Sequence, residues 1–119
     1  MTDNDLISFM ITIGWTINKI TGADNLLYFV IKNYEITSGS LAGSECDIAI
    51  QQTGTIPYVP PSAIHIKPAL VRMDMSSSLR TQQSGIGPEW QYWSRVFNKA
   101  QTPKSFIAHI ATIFNEVNL

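Results

Sequence analysis

Leu26-Leu27-Tyr28-Phe29-Val30-Ile31-Lys32-Asn33-Tyr34-Glu35-Ile36 is the strongest strand signal in the chain. It is rich in β-branched and aromatic residues, and its second half alternates. After the Gly- and Ser-containing stretch 37–44, which reads as a hairpin loop, residues 45–51 alternate again. Cys46, Ile48 and Ile50 point one way and Glu45, Asp47 and Gln51 the other. Two consecutive strands with no helix between them predict antiparallel pairing and an α+β domain, not an alternating α/β one.

Upstream, residues 4–14 predict a short helix with Leu6, Phe9, Met10 and Ile13 on one face, Asn4 or Asp3 as its N-cap and Gly14 at its end. Residues 15–25 carry no clear period beyond a turn at Thr21-Gly22-Ala23-Asp24-Asn25. Downstream, Pro57, Pro60 and Pro61 forbid a ladder. Residues 63–66 then predict one short strand, closed by Pro68. Residues 71–88 are polar, lack periodicity and are too long for an idle connector. Residues 89–98 concentrate Trp90, Tyr92, Trp93 and Phe97. Trp90 and Trp93, three apart, are expected on one face of a helical turn, as a lid on the core or as a partner-binding hot spot. The closing helix is clear: Thr102 as N-cap, Pro103 at the first position, then an apolar stripe through Phe106, Ile107, Ile110, Ile113, Phe114 and Val117. Residues 1–119 are expected to form a single domain: an antiparallel β-meander with a helix at each end.

Net charge is −1 over 119 residues, which offers no electrostatic case for nucleic acid. Residues 1–64 carry −4 and residues 65–119 carry +3, a division that can orient a partner. The lone cysteine, Cys46, excludes an intramolecular disulfide and a cysteine-based zinc site. Its alternation with Ile48 and Ile50 marks it as a small buried hydrophobe. The sequence shows no bilayer-length apolar run, phosphate-binding glycine loop, metal-spaced histidine pair or nucleophile elbow. No cofactor or metal is expected, and the acidic N-terminus points to the cytoplasm.

Two motifs in this order carry a resemblance. The first is Ile56-Pro57-Tyr58-Val59-Pro60-Pro61 followed by Ile64-His65-Ile66-Lys67-Pro68. The second is Glu89-Trp90-Gln91-Tyr92-Trp93-Ser94-Arg95. With a helix at each end, they resemble the ubiquitin-conjugating-enzyme (UBC-like) superfamily, and more closely its prokaryotic family E, over roughly residues 26–117. The resemblance implies a UBC-like fold and a bacterial ubiquitin-like conjugation pathway. Its partners would be a ThiF-like activating enzyme, a ubiquitin-like modifier and a deconjugating protease, with antiphage defence a plausible setting. It implies that the first helix faces the activating enzyme. Tyr58, Pro60, Pro61, Trp90 and Trp93 would contact partners.

The family's usual nucleophile is a cysteine between the histidine–proline element and the tryptophan segment. Residues 68–90 contain none. Two readings stay open: a non-catalytic variant that binds and positions partners, or a hydroxyl in place of the thiol. For the second, Ser84 leads because Gly85 lets a bound tail come close. Thr81 and Ser76 to Ser78 follow. A hydroxyl needs an adjacent base; His65 is the candidate, although a histidine in Ile-His-Ile is also read as structural. Asp74 is a second possible base, and His109 sits at the edge of the core.

Overall fold

The computed structural model describes residues 2–54, 63–70, 81–95 and 102–117. Tyr58, Pro60, Pro61, Asp74 and Ser76 to Ser78 lie outside them.

The chain opens with α1 (Asp3–Thr12). Thr2 caps it reciprocally: Asp5 N–H donates to Thr2 Oγ1 at 3.1 Å, and Thr2 N–H donates to Asp5 Oδ2 at 2.9 Å. Neither Asn4 nor Asp3 is the cap, because only a side chain one step earlier reaches the third N–H. The helix ends at Thr12, so Ile13 leaves the apolar face and is 46% exposed, while Leu6, Ile7 and Met10 face the core.

Among the described residues six antiparallel strands follow: β1 (Ile17–Thr21), β2 (Leu27–Glu35), β3 (Glu45–Gln51), β4 (Ile64–Lys67), β5 (Thr81–Gln83) and β6 (Gln91–Trp93). Their order across the sheet is β1-β2-β3-β4-β6-β5. A terminal helix, α2 (Pro103–Glu116), closes the domain. The fold is α+β and UBC-like, with a helix at each end of the chain. In α2, Thr102 and Ser105 form a second reciprocal cap, with Pro103 in the first turn, and the expected stripe is buried through Phe106, Ile110, Ile113 and Phe114. His109 is 9% exposed, at the core's edge.

Three strands fall where periodicity was silent or misleading. β1 occupies the unassigned stretch before the turn, and β5 lies inside the polar stretch 71–88. The tryptophan segment is β6, not a helical turn. Strands of three residues are too short to show a period, and neighbours supply their ladder: Ile64 to Trp93, His65 to Tyr92, and Thr81 to Trp93 are register partners.

The sheet is buried on both faces. On one, α1 and α2 cover Phe29, Ile31, Ile48, Ile50, Ile64, Ile66 and Trp93. On the other, Tyr28, Val30 and Ala49 are covered by Ile86 and Trp90. Two-sided cover explains why Tyr28 to Ile31 are buried without a break, whereas β2 alternates beyond its bulge. The bulge places Asn33 at φ 54°, where Asp47 accepts its N–H at 3.0 Å and Lys32 Nζ at 2.7 Å. Full burial of an aliphatic or aromatic side chain contributes ~1.5–3 kcal/mol, so the helix-covered face holds most of the stability.

Gly39 ties the β2–β3 loop to the end of α2. Its φ is 78°, and a Cβ there would collide with the Phe114 carbonyl. Gly39→Ala is expected to lower unfolding free energy by about 2 kcal/mol in urea titration, because strain and clash add. Gly43→Ala has the same sign of φ but open space around it, so its loss should be smaller.

Candidate functional site

Strand alternation decides the site. Ile64 and Ile66 point into the helix-covered core, so His65 points to the opposite face, beside Ala49 of β3 and Tyr92 of β6. Residues 84–90 cross that face as a strap. Ser84 N–H donates to the Trp90 carbonyl at 3.3 Å and Trp90 N–H to the Gly87 carbonyl at 3.2 Å. The strap is clasped to the β1–β2 turn, where Ala23 N–H donates to the Ile86 carbonyl at 3.0 Å and Asp24 N–H to the Gly85 carbonyl at 3.1 Å.

Under the strap, Ser84 Oγ lies 2.7 Å from His65 Nδ1 and accepts the Ile86 N–H at 3.1 Å. Burial holds the His65 imidazole down to about pKa 4, with the nearby Asp24 carboxylate pulling upward, so the ring is neutral at pH 7. Ser84 Oγ has a second lone pair, so the contact fits either direction: Ser84 O–H donating to Nδ1 with the imidazole proton on Nε2, or Nδ1–H donating to Ser84 Oγ. The first direction, serine hydroxyl donating to a neutral imidazole, is the relation of an acyl-transfer nucleophile to its base.

The imidazole is sandwiched. Tyr28 and Tyr92 each meet it edge-on, with ring centroids 5.1 Å away. Tyr28 OH donates to Asp24 Oδ2 at 2.6 Å. That bond, against desolvation and with the Leu26 N–H, holds the Asp24 carboxyl below its ordinary value. Burial, then the bond to Asp24, pushes the Tyr28 phenol up.

Of the expected site residues, the structure joins Ser84 and His65, nineteen apart in sequence. Thr81 is placed elsewhere: its register partner is Trp93, so it faces the helix-covered side, with a buried Oγ1 that has no partner among the described residues. Trp90 and Trp93 sit on opposite faces of the sheet. Trp93 is fully buried and packs against Phe114, which makes it core; Trp90 is 7% exposed, with Lys67 Nζ 5.7 Å from its ring centroid. Asp24 and Tyr28 were missed by sequence reasoning. The only signal was a turn with an aspartate, and turn aspartates are ordinary.

Cys46 is 3% exposed, on the helix-covered face. Burial, then the charge of Asp47, pushes its thiol up to about 12, so it carries no thiolate at neutral pH. A thiol reagent at pH 8 is expected to leave Cys46 unlabelled in native protein and to label it completely in guanidinium; rapid native labelling would contradict this burial. A cavity of about 370 Å³ opens on the His65 side of the sheet between the β2 bulge and the strap, lined by residues that include Asn33, Asp47, Lys67 and Glu89. Among the described residues no group of three His, Cys, Asp or Glu could hold a metal, and no helix is long and apolar enough to cross a membrane.

A terminal helix pair on one face of an antiparallel sheet, with a histidine strand, a strap after β5 and a tryptophan strand, is consistent with a UBC-like domain. The chain belongs to the prokaryotic E2 family E, whose family model matches residues 3–119. No curated protein and no solved structure matches it significantly. Membership points to a role in ubiquitin-like conjugation.

Proposed function

We propose that this chain receives a ubiquitin-like modifier from an activating enzyme and carries it as an oxyester on Ser84. The observation that carries this is the 2.7 Å contact between Ser84 Oγ and a neutral His65 Nδ1, within the window where the family's thiol would be expected. In the transfer step Ser84 Oγ bonds to the carbonyl carbon of the modifier's C-terminal thioester. The Oγ proton moves to Nδ1, the carbon–sulfur bond breaks, and the leaving thiolate takes the proton from the imidazolium. The products are an acyl-serine and a free thiol, with His65 restored. A ThiF-like activating enzyme supplies the thioester, and a deconjugating protease is the expected companion, in a cytoplasmic pathway for which antiphage defence is a fitting setting. Trp93 is committed to the helix-covered core, and Trp90 covers the opposite face, so a partner contact through Trp90 would come with lifting of the strap.

A non-catalytic binding or scaffolding role is the competing reading. One observation favours it: Ser84 is only 4% exposed, so the strap must lift before a modifier tail arrives. Mixing the protein with the activating enzyme, modifier and ATP and recording intact mass separates the two. An adduct that survives reducing agent and is cleaved by hydroxylamine supports the oxyester. A stable complex on a sizing column without an adduct supports the binding role.

A further inference from the structure

Asp24 is exposed on the β1–β2 turn, yet its backbone and carboxylate are tied to the strap and to the tyrosine beside His65. A Cβ on Gly22 would stand 2.5 Å from Asp24 Oδ1, and one on Gly85 would stand 2.6 Å from Oδ2. Gly22 and Gly85 thus stand directly against this carboxylate, and Gly85 is the residue after Ser84. Asp24 N–H donates to the Gly85 carbonyl at 3.1 Å, which locks the aspartate backbone to the strap. Oδ1 accepts the Leu26 N–H at 3.1 Å and Oδ2 accepts Tyr28 OH at 2.6 Å, so both carboxylate oxygens are engaged. The ring of that same tyrosine meets the His65 imidazole edge-on.

We infer that Asp24 is the positioning residue of the Ser84–His65 pair, orienting the imidazole through Tyr28 and stabilising its positive charge when Ser84 gives up its proton. This rests on the acyl-transfer reading above. The groups that touch the imidazole are Ser84 from the strap, Tyr28 from β2 and Tyr92 from β6, and Asp24 reaches it through Tyr28 and by charge. Asp24 is the one of these that is anionic at neutral pH, since the Tyr28 bond keeps its carboxyl ionised. A negative charge near the ring favours imidazolium, opposing the desolvation that disfavours it. Loss of that charge therefore makes His65 a weaker base while leaving the Ser84–His65 contact in place.

The test uses full-length protein, a synthetic peptide thioester ending in Gly-Gly, and Asp24→Asn, which keeps the size and the acceptor for the Leu26 N–H. Two readouts are taken: the rate of Ser84 acylation by intact mass across pH 5–9, and the His65 titration midpoint from imidazole NMR shifts. Asp24→Asn is expected to slow acylation about tenfold, one pK unit's worth, and to move the His65 midpoint to lower pH. Asp24→Glu is expected to recover part of both. An unchanged His65 midpoint overturns the inference, as does an unchanged rate with the wild-type pH profile. Wild-type protein that never acylates at Ser84 overturns the acyl-transfer reading and this inference with it, whereas a wild-type adduct that Asp24→Asn forms equally fast overturns the inference alone.

Discussion

Ser84→Ala is expected to abolish the hydroxylamine-sensitive adduct with a ubiquitin-like modifier while leaving the fold and partner binding intact. The effect should be total, because the bond to the modifier is made by the atom removed. Alanine fills the space of the serine Cβ, and the hydroxyl's two bonds, to His65 Nδ1 and the Ile86 N–H, are what is lost. Leaving those groups unpaired costs about 1–3 kcal/mol, so the variant should still fold. His65→Gln, which keeps a neutral polar side chain but removes the base, should slow adduct formation about 100-fold or more. Thr81→Ala should leave adduct formation near wild type, since Thr81 faces the other side of the sheet from His65. Adduct formation at the wild-type rate by Ser84→Ala would remove Ser84 from the mechanism. Mapping of the adduct to Thr81 would reassign the nucleophile.

Acid is expected to destabilise this protein between about pH 6.5 and about pH 4, and His65 is the reason. The imidazole takes a proton near pH 6.5 in the unfolded chain but only near pH 4 when folded, because it is buried under the strap. Between those values the unfolded chain binds more protons, so unfolding free energy falls as pH falls. The slope reaches about 1.4 kcal/mol per pH unit, and the full effect is at most about 3 kcal/mol. The stabilisation is complete above about pH 6.5 and is lost by about pH 4. Urea titrations at pH 7.5, 6.0, 5.0 and 4.5 read it directly. His65→Gln has no such proton, so its curve should be flatter over this window even if its stability at pH 7.5 is lower. Parallel pH dependence in the two proteins would mean that the imidazole is solvated and the strap open. Asp24 and Asp47, whose carboxyls are held low, act in the same direction at lower pH, since each loses its stabilising charge there.

Much of the framework was legible because it is written in local periodicity. The stripe of α2 and its Thr102–Pro103 start, the two long strands, the glycine-containing hairpin loop and the burial of Cys46 all depend on residues within one turn or one pleat of each other. β1, β5 and β6 were not legible, because strands of three to five residues take their conformation from the ladder of a neighbour and leave little period of their own. The spacing of Trp90 and Trp93 fits a helical turn as well as a strand. Only pairing with β4 settles it, sending Trp93 into the core and Trp90 under the opposite face.

The candidate site divides the same way. The sequence alone determined which chemistry is absent: no thiol in residues 68–90, and in its place a serine before a glycine, with a histidine upstream. Composition and order suffice for that. That Ser84 and His65 touch, that Thr81 does not join them, and that Asp24 and Tyr28 stand behind the imidazole were decided by tertiary structure alone. Those relations depend on strand parity, on the β4–β6 register and on a strap clasped to a turn sixty residues away in the chain. Side-chain identity sets what a residue can do, but the sheet's hydrogen-bond register sets which residues it meets.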